Sequence, residues 1–146
     1  GLGPRGVALV EIYALHMKHG RVANMSTRAR VGTGEDVLIG GFILARSERS
    51  RVIVRAIGPS LASDGVPDPL LDPVLELHDA DGSLIFTNDN WRSDQESQII
   101  DSGLPPTDDR EAAIVATLPP GAYSAIVRDA NGSSGVALFE VYALDP

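Results

Sequence analysis

The chain has 146 residues, 43% of them hydrophobic, with a net charge of −8 and a pI near 4.7. That length suits one domain with a sizeable core, and the acidic balance argues against nucleic-acid backbones and anionic membranes as partners, because like charges repel. The absence of cysteine excludes disulfides, thiolate metal sites and cysteine nucleophiles, and no apolar run approaches the roughly 18–20 residues of a membrane span, so membrane insertion is not expected.

The first apolar stretch, residues 7–15, carries Glu11 and lacks a basic leader, so it does not read as a signal peptide. An export signal would have been removed or would lie outside this chain. Helical periodicity is nearly absent. Short apolar, β-branched runs recur instead between Gly, Pro, Asn and Asp clusters, the pattern of an all-β domain. Strands are expected at 7–15, 21–26, 37–44, 51–57, 74–79, 84–88, 112–118, 122–129 and 136–144. Nine such strands suggest a β-sandwich, jelly-roll or immunoglobulin-like. Long irregular stretches are expected at 58–73 and 89–110, with a helical turn near 94–100.

Several turns are legible. Asp79-Ala80-Asp81-Gly82 joins two strands, with Gly82 free to take positive φ. Pro119-Pro120-Gly121 turns tightly into the next strand, and residues 129–135 read as a loose hairpin loop. Residues 32–36 link the second and third strands. Gly32 and Gly34 there are structural, because neither a helix nor a GK[ST] sequence follows.

One strand occurs twice. GVALVEIYALH (residues 6–16) and GVALFEVYALD (residues 135–145) agree at eight of eleven positions, offset by 129 residues. One face of the first copy carries Val7, Leu9, Glu11, Tyr13 and Leu15; the other carries Ala8, Val10, Ile12 and Ala14. The second copy presents Val136, Leu138, Phe139, Val141, Tyr142 and Leu144 in the same order. A strand apolar on both faces must be covered on both, and left loose it is an aggregation hazard.

Two resemblances follow from particular segments. VLELHDADGSLIFTNDN (74–90) with LPPGAYSAIVRDANGSSGVALFEVY (118–142) resembles the bacterial pre-peptidase C-terminal domains, small secreted β-sandwiches appended to exported enzymes. RVANMSTRARVGTGEDVLIGGFIL, VIVRAIGPSLASDGVPDPLLDPVLEL, NDNW and GLPPTDDREAAIVATLPPGAYSAIV resemble an uncharacterised repeat-type domain of large exported proteins of environmental bacteria. The second resemblance implies an exported, modular protein without an established activity. It also makes residues 6–16 look like the closing strand of a preceding unit, and residues 21–145 one complete unit. The expected organisation is an extension over 1–20 bearing the spare strand and a sandwich over 21–146. The spare strand either pairs beside its own domain or adds to a neighbouring copy, and strand addition between differing surfaces builds an open, head-to-tail polymer. The duplicated strand favours the second: an extracellular or cell-surface structural protein, not an enzyme, whose partners are copies of itself.

The alternative is a glycan- or calcium-binding module of a larger exported protein. Asp79, Asp81, Asn88, Asp89, Asn90 and Asp94 form the densest oxygen-ligand cluster and could hold Ca²⁺; as turn-formers they would instead bond their own backbone. Asp72, Asp101, Asp108, Asp109, Arg110 and Glu111 read as a salt-bridged loop rather than a catalytic group. His16 and His19 lie in an extended linker, a poor zinc pair, and His78 stands apart. Ser60 lacks a nucleophile-elbow sequence. Asn24 and Asn131 begin N-x-[ST] sequons and are candidate glycosylation sites. Trp91 is the aromatic expected in a loop, where it would face a sugar or plug one end of the sandwich; Tyr13, Tyr123 and Tyr142 fall within strands.

Overall fold

The computed structural model describes residues 24–45 and 47–145. Among them the chain forms eight strands: β1 (Asn24–Val31), β2 (Leu38–Leu44), β3 (Ser50–Ile57), β4 (Pro73–His78), β5 (Leu84–Asn88), β6 (Ala112–Leu118), β7 (Gly121–Asp129) and β8 (Gly135–Ala143). They build two antiparallel sheets of four strands, ordered β1-β8-β3-β6 and β2-β7-β4-β5. The fold is an all-β sandwich, as the strand pattern predicts. The strand expected at 7–15, with Val7, Leu9, Val10, Ile12, Tyr13 and Leu15, lies outside the described residues.

Alternation builds the core. Ala137, Phe139 and Val141 of β8, Val52, Val54 and Ala56 of β3, and Ile114, Ala116 and Leu118 of β6 point inward from one sheet. Leu75 and Leu77 of β4, Tyr123, Ala125 and Val127 of β7, and Leu38 of β2 meet them from the other. Fully burying each large side chain stabilises by about 1.5–3 kcal/mol. A second cluster lies on the outer face of the first sheet, where Ile53, Ala113 and Val115 meet Trp91 and Ile99. The chain between β5 and β6, with the short helix α1 (Glu96–Asp101), therefore roofs that face. Cover on both faces explains why Val52–Val54 of β3 and Ala112–Ala116 of β6 are apolar at successive positions instead of alternate ones.

The structure corrects three expectations. The strand placed at 21–26 runs over Asn24–Val31 in β1. Thr27, Ala29 and Val31 pair opposite Phe139, Ala137 and Gly135, so Arg28 and Arg30 fall on the outward positions of the strand. Residues 129–135 are not a hairpin loop, because β7 and β8 belong to different sheets; the loop carries the chain across the sandwich, with Gly132 at φ 72°. The stretch 58–73 is not wholly irregular: Pro59–Ala62 forms a 3₁₀ turn. The Pro119–Gly121 turn also crosses between sheets, and the Tyr123 hydroxyl donates to the Pro119 carbonyl at 2.7 Å to hold it.

Candidate assembly surface

The closing strand is seated by particular contacts. β8 lies between β1 and β3. On its inner face the fully buried Phe139 ring occupies the space above Gly40 of β2, where a Cβ would overlap the ring. At its start Gly135 backs onto the chain at Leu70, and a Cβ there would stand 2.6 Å from the Leu70 nitrogen. On its outer face Glu140 forms a mostly buried ion pair with Arg55 of β3. The Arg55 guanidinium also donates to the Leu104 carbonyl at 2.9 Å and lies 5.2 Å from the centre of the Tyr142 ring. The Tyr142 hydroxyl donates to Glu140 at 2.8 Å. Burial pushes the Tyr142 phenol above its usual range, and the hydrogen bond to Glu140 and its charge add to the shift.

Nearly all of these seating residues recur in the first copy of the strand. Gly135, Glu140 and Tyr142 correspond to Gly6, Glu11 and Tyr13, and the flanking Ala137 and Leu144 to Ala8 and Leu15. Phe139 does not: its counterpart is Val10. The seat above Gly40 is thus shaped for one copy, and the other would leave it partly empty.

The four sheet edges differ sharply. The β6 edge is closed by side chains that imitate a strand. Asn88 accepts from the Ala113 N–H at 3.0 Å. The Gln95 amide accepts from the Val115 N–H and donates to the Val115 carbonyl, both at 2.9 Å; beside them the Trp91 backbone N–H donates to the Glu111 carbonyl at 2.9 Å. The β5 edge is five residues long and faces a register shift between Leu77 and His78, a common way to blunt an edge. On the opposite side of the sandwich β1 and β2 face each other as edge strands of the two sheets. The inward residues Met25, Ala29, Phe42 and Leu44 are only partly buried along this seam. β1 guards its outer face with Arg28 and Arg30, the latter paired to Asp68 at 2.6 Å. β2, Leu-Ile-Gly-Gly-Phe-Ile-Leu, carries no charge, and its Ile39 and Ile43 are 59% and 68% exposed.

The oxygen-ligand cluster is divided by the fold. Asp79 bonds the N–H groups of Asp81 and Ser83, holding the β4–β5 turn. Asp81 is exposed, and Asn88 turns to β6 and to the Asn90 carbonyl. Burial pushes the Asp89 carboxyl up, and the nearby Asp72 charge adds to this. Among the described residues no three His, Cys, Asp or Glu side chains gather closely enough to hold a metal ion. Asn24 is exposed at the start of β1; Asn131 is exposed in the β7–β8 loop, where its amide donates to Asp72 at 3.0 Å. His16 and His19 lie outside the described residues, and His78 bonds Glu76 at 3.1 Å. Trp91 is buried, with the Arg92 guanidinium stacked 4.0 Å from its ring centre, so it plugs the outer cluster.

The Thr107–Glu111 loop is salt-bridged, as its composition predicts. Arg110 pairs with Asp108 at 2.8 Å and holds that carboxyl below the usual range, while Asp109 pairs with Arg92 at 2.6 Å. Glu111 has a role that the sequence reading missed. Fully buried, it accepts from the Gly58 and Ser60 N–H groups, the Ser60 hydroxyl and the Asp108 N–H. The Ser60 hydroxyl therefore serves the 3₁₀ turn. Gln95 and the Arg55–Glu140 pair were missed too. Only the second left a signal, a glutamate kept inside an apolar strand in both copies.

Among the described residues, an eight-stranded antiparallel sandwich with a closed side and an open side defines the fold class. Searches against family models and against curated proteins return no match. Among solved structures, the chain is similar to the pre-peptidase C-terminal domain of a collagenase from Bacillus anthracis, with a TM-score of 0.51 and 12% identity over 81% of this chain and 88% of that one. At that identity the likeness establishes the shared fold.

Proposed function

We propose that this protein is a non-catalytic extracellular structural module that assembles head-to-tail, the strand at residues 7–15 of one copy adding to the sandwich of the next. The observation that carries this reading is the duplication of a strand whose structural needs are now explicit. Residues 6–16 repeat the glycine, alanine, glutamate and tyrosine with which β8 is built into a sheet. Such a strand needs a sheet partner for its backbone and cover for its apolar side chains, yet the body already has a complete β8 of its own. The open β1/β2 seam supports the reading from the receiving side. Donor and acceptor are different surfaces, so each copy can receive one neighbour and join another, and the chain of contacts need not close. The likeness to a pre-peptidase C-terminal domain, found in that case on a collagenase, agrees with an exported module.

The test is electron microscopy of the full chain beside a chain lacking residues 1–17. Polymers from the first and their loss in the second are expected. Identical polymers from both would refute strand addition.

A further inference from the structure

We infer that the acceptor for the 7–15 strand is the β2 edge of a second copy, in a register that sets Glu11 opposite Gly41. This rests on the strand-addition reading and specifies its acceptor. The occupant is a segment of this chain that precedes the described body, joined to β1 by the eight residues 16–23.

The choice of edge follows from what each edge offers. The β6 edge has no free backbone run, because Asn88 and Gln95 already bond it. β5 is short and irregular. β1 carries Arg28 and Arg30 on the outer face, where an added strand would place Leu9 and Tyr13, and charge beside apolar groups disfavours addition. β2 is seven uncharged residues, about 23 Å long, beside a seam where the core is incompletely covered.

The register follows from side-chain spacing. On the outer face β2 presents Ile39, Gly41 and Ile43 at every second position. One face of the donor presents Leu9, Glu11 and Tyr13 at the same spacing. With Glu11 opposite Gly41, Leu9 and Tyr13 meet the two exposed isoleucines. The absence of a side chain at Gly41 leaves the Glu11 carboxylate in water. Val10 and Ile12 then fall beside Gly40 and Phe42 on the inner face, closing the seam. The match holds whether the strands run parallel or antiparallel, because Gly41 and Glu11 are each the centre of their triplet. Replacement of β8 itself by the donor is disfavoured, since Val10 cannot fill the space that Phe139 takes above Gly40.

The experiment uses the full chain, which has no cysteine of its own. A Glu11→Cys, Gly41→Cys double variant is oxidised and run without reductant; a Cβ at Gly41 meets nothing nearer than the Tyr123 carbonyl at 3.8 Å. A ladder of cross-linked multimers is expected. A cross-linked monomer alone would place the strand on its own body and overturn the second-copy claim. Polymers without cross-links would overturn this acceptor while leaving strand addition standing. Absence of polymers from the unaltered chain would overturn both. Independently of the cysteines, Ile39→Lys with Ile43→Lys replaces two exposed side chains. It should raise the concentration for half-assembly by about two- to thirtyfold, the equivalent of losing two cross-strand apolar pairs. Assembly at an unchanged concentration would likewise overturn the β2 edge as acceptor.

Discussion

Phe139→Val gives β8 the residue that its copy carries at Val10, and so measures how far the two strands are interchangeable. Phe139 is fully buried and lies over Gly40. Truncating a core phenylalanine to alanine costs about 3–5 kcal/mol. Valine restores two carbons at about 0.8 kcal/mol each, so the expected loss is about 2–3 kcal/mol. For a body of this size that lowers the melting temperature by roughly 6–15 °C. Gly40→Ala, in the unaltered chain, pushes a methyl group into the ring and should cost about 1–3 kcal/mol. In the Phe139→Val chain the same methyl enters vacated space, and its cost should fall close to zero. Urea unfolding of the two single variants and the double gives the coupling directly. Costs that add within about 0.5 kcal/mol would refute the claim that Gly40 exists to seat this ring.

Three further outcomes are expected. Glu140→Ala strands Arg55 without its buried counter-ion and should cost about 3–5 kcal/mol in urea unfolding, and the Arg55→Ala, Glu140→Ala double should cost less than the sum of the singles. Gln95→Ala exposes the N–H and carbonyl of Val115 on the β6 edge; a loss of about 1–3 kcal/mol is expected, with faster hydrogen exchange at Val115 than at Val54. Asp108 and Asp89 respond oppositely to acid. The depressed Asp108 carboxyl, held mainly by its hydrogen bond to Arg110, contributes stability above the unfolded carboxylate range that is lost as pH falls through its folded value. The raised Asp89 carboxyl, shifted mainly by burial, opposes folding when charged, so Asp89→Asn should raise the melting temperature at pH 7 and have a shrinking effect as pH falls through the carboxylate range. An Asp89→Asn effect that grows in acid would contradict that placement.

The fold was legible wherever a local pattern matched a local cause. β3, β5, β6 and β8 sit within a residue or two of their expected places, because β-branched runs between Gly, Pro and Asp turns specify strands directly. β1, expected at 21–26, runs over Asn24–Val31, because its polar outward positions alternate with inward residues only once β8 is set beside it. Whether a loop makes a hairpin or crosses between sheets was not legible at 129–135, since both need the same Gly and Asn conformations. Glu111 and Gln95 act on partners 53 and 20 residues away, and no spacing in the sequence announces such bonds. The duplicated strand was the opposite case. Its repetition was visible at once, whereas the meaning of its fixed residues depended on the contacts of β8 with Arg55, Leu70 and Gly40.

Sedimentation velocity of the full chain over a wide concentration range tests head-to-tail assembly most directly. Strand addition between unlike surfaces predicts an open-ended series of species that lengthens with concentration and shifts to monomer when Val10 and Ile12 are both changed to lysine. A single monomeric species at every concentration, or a closed dimer that never grows, would contradict it.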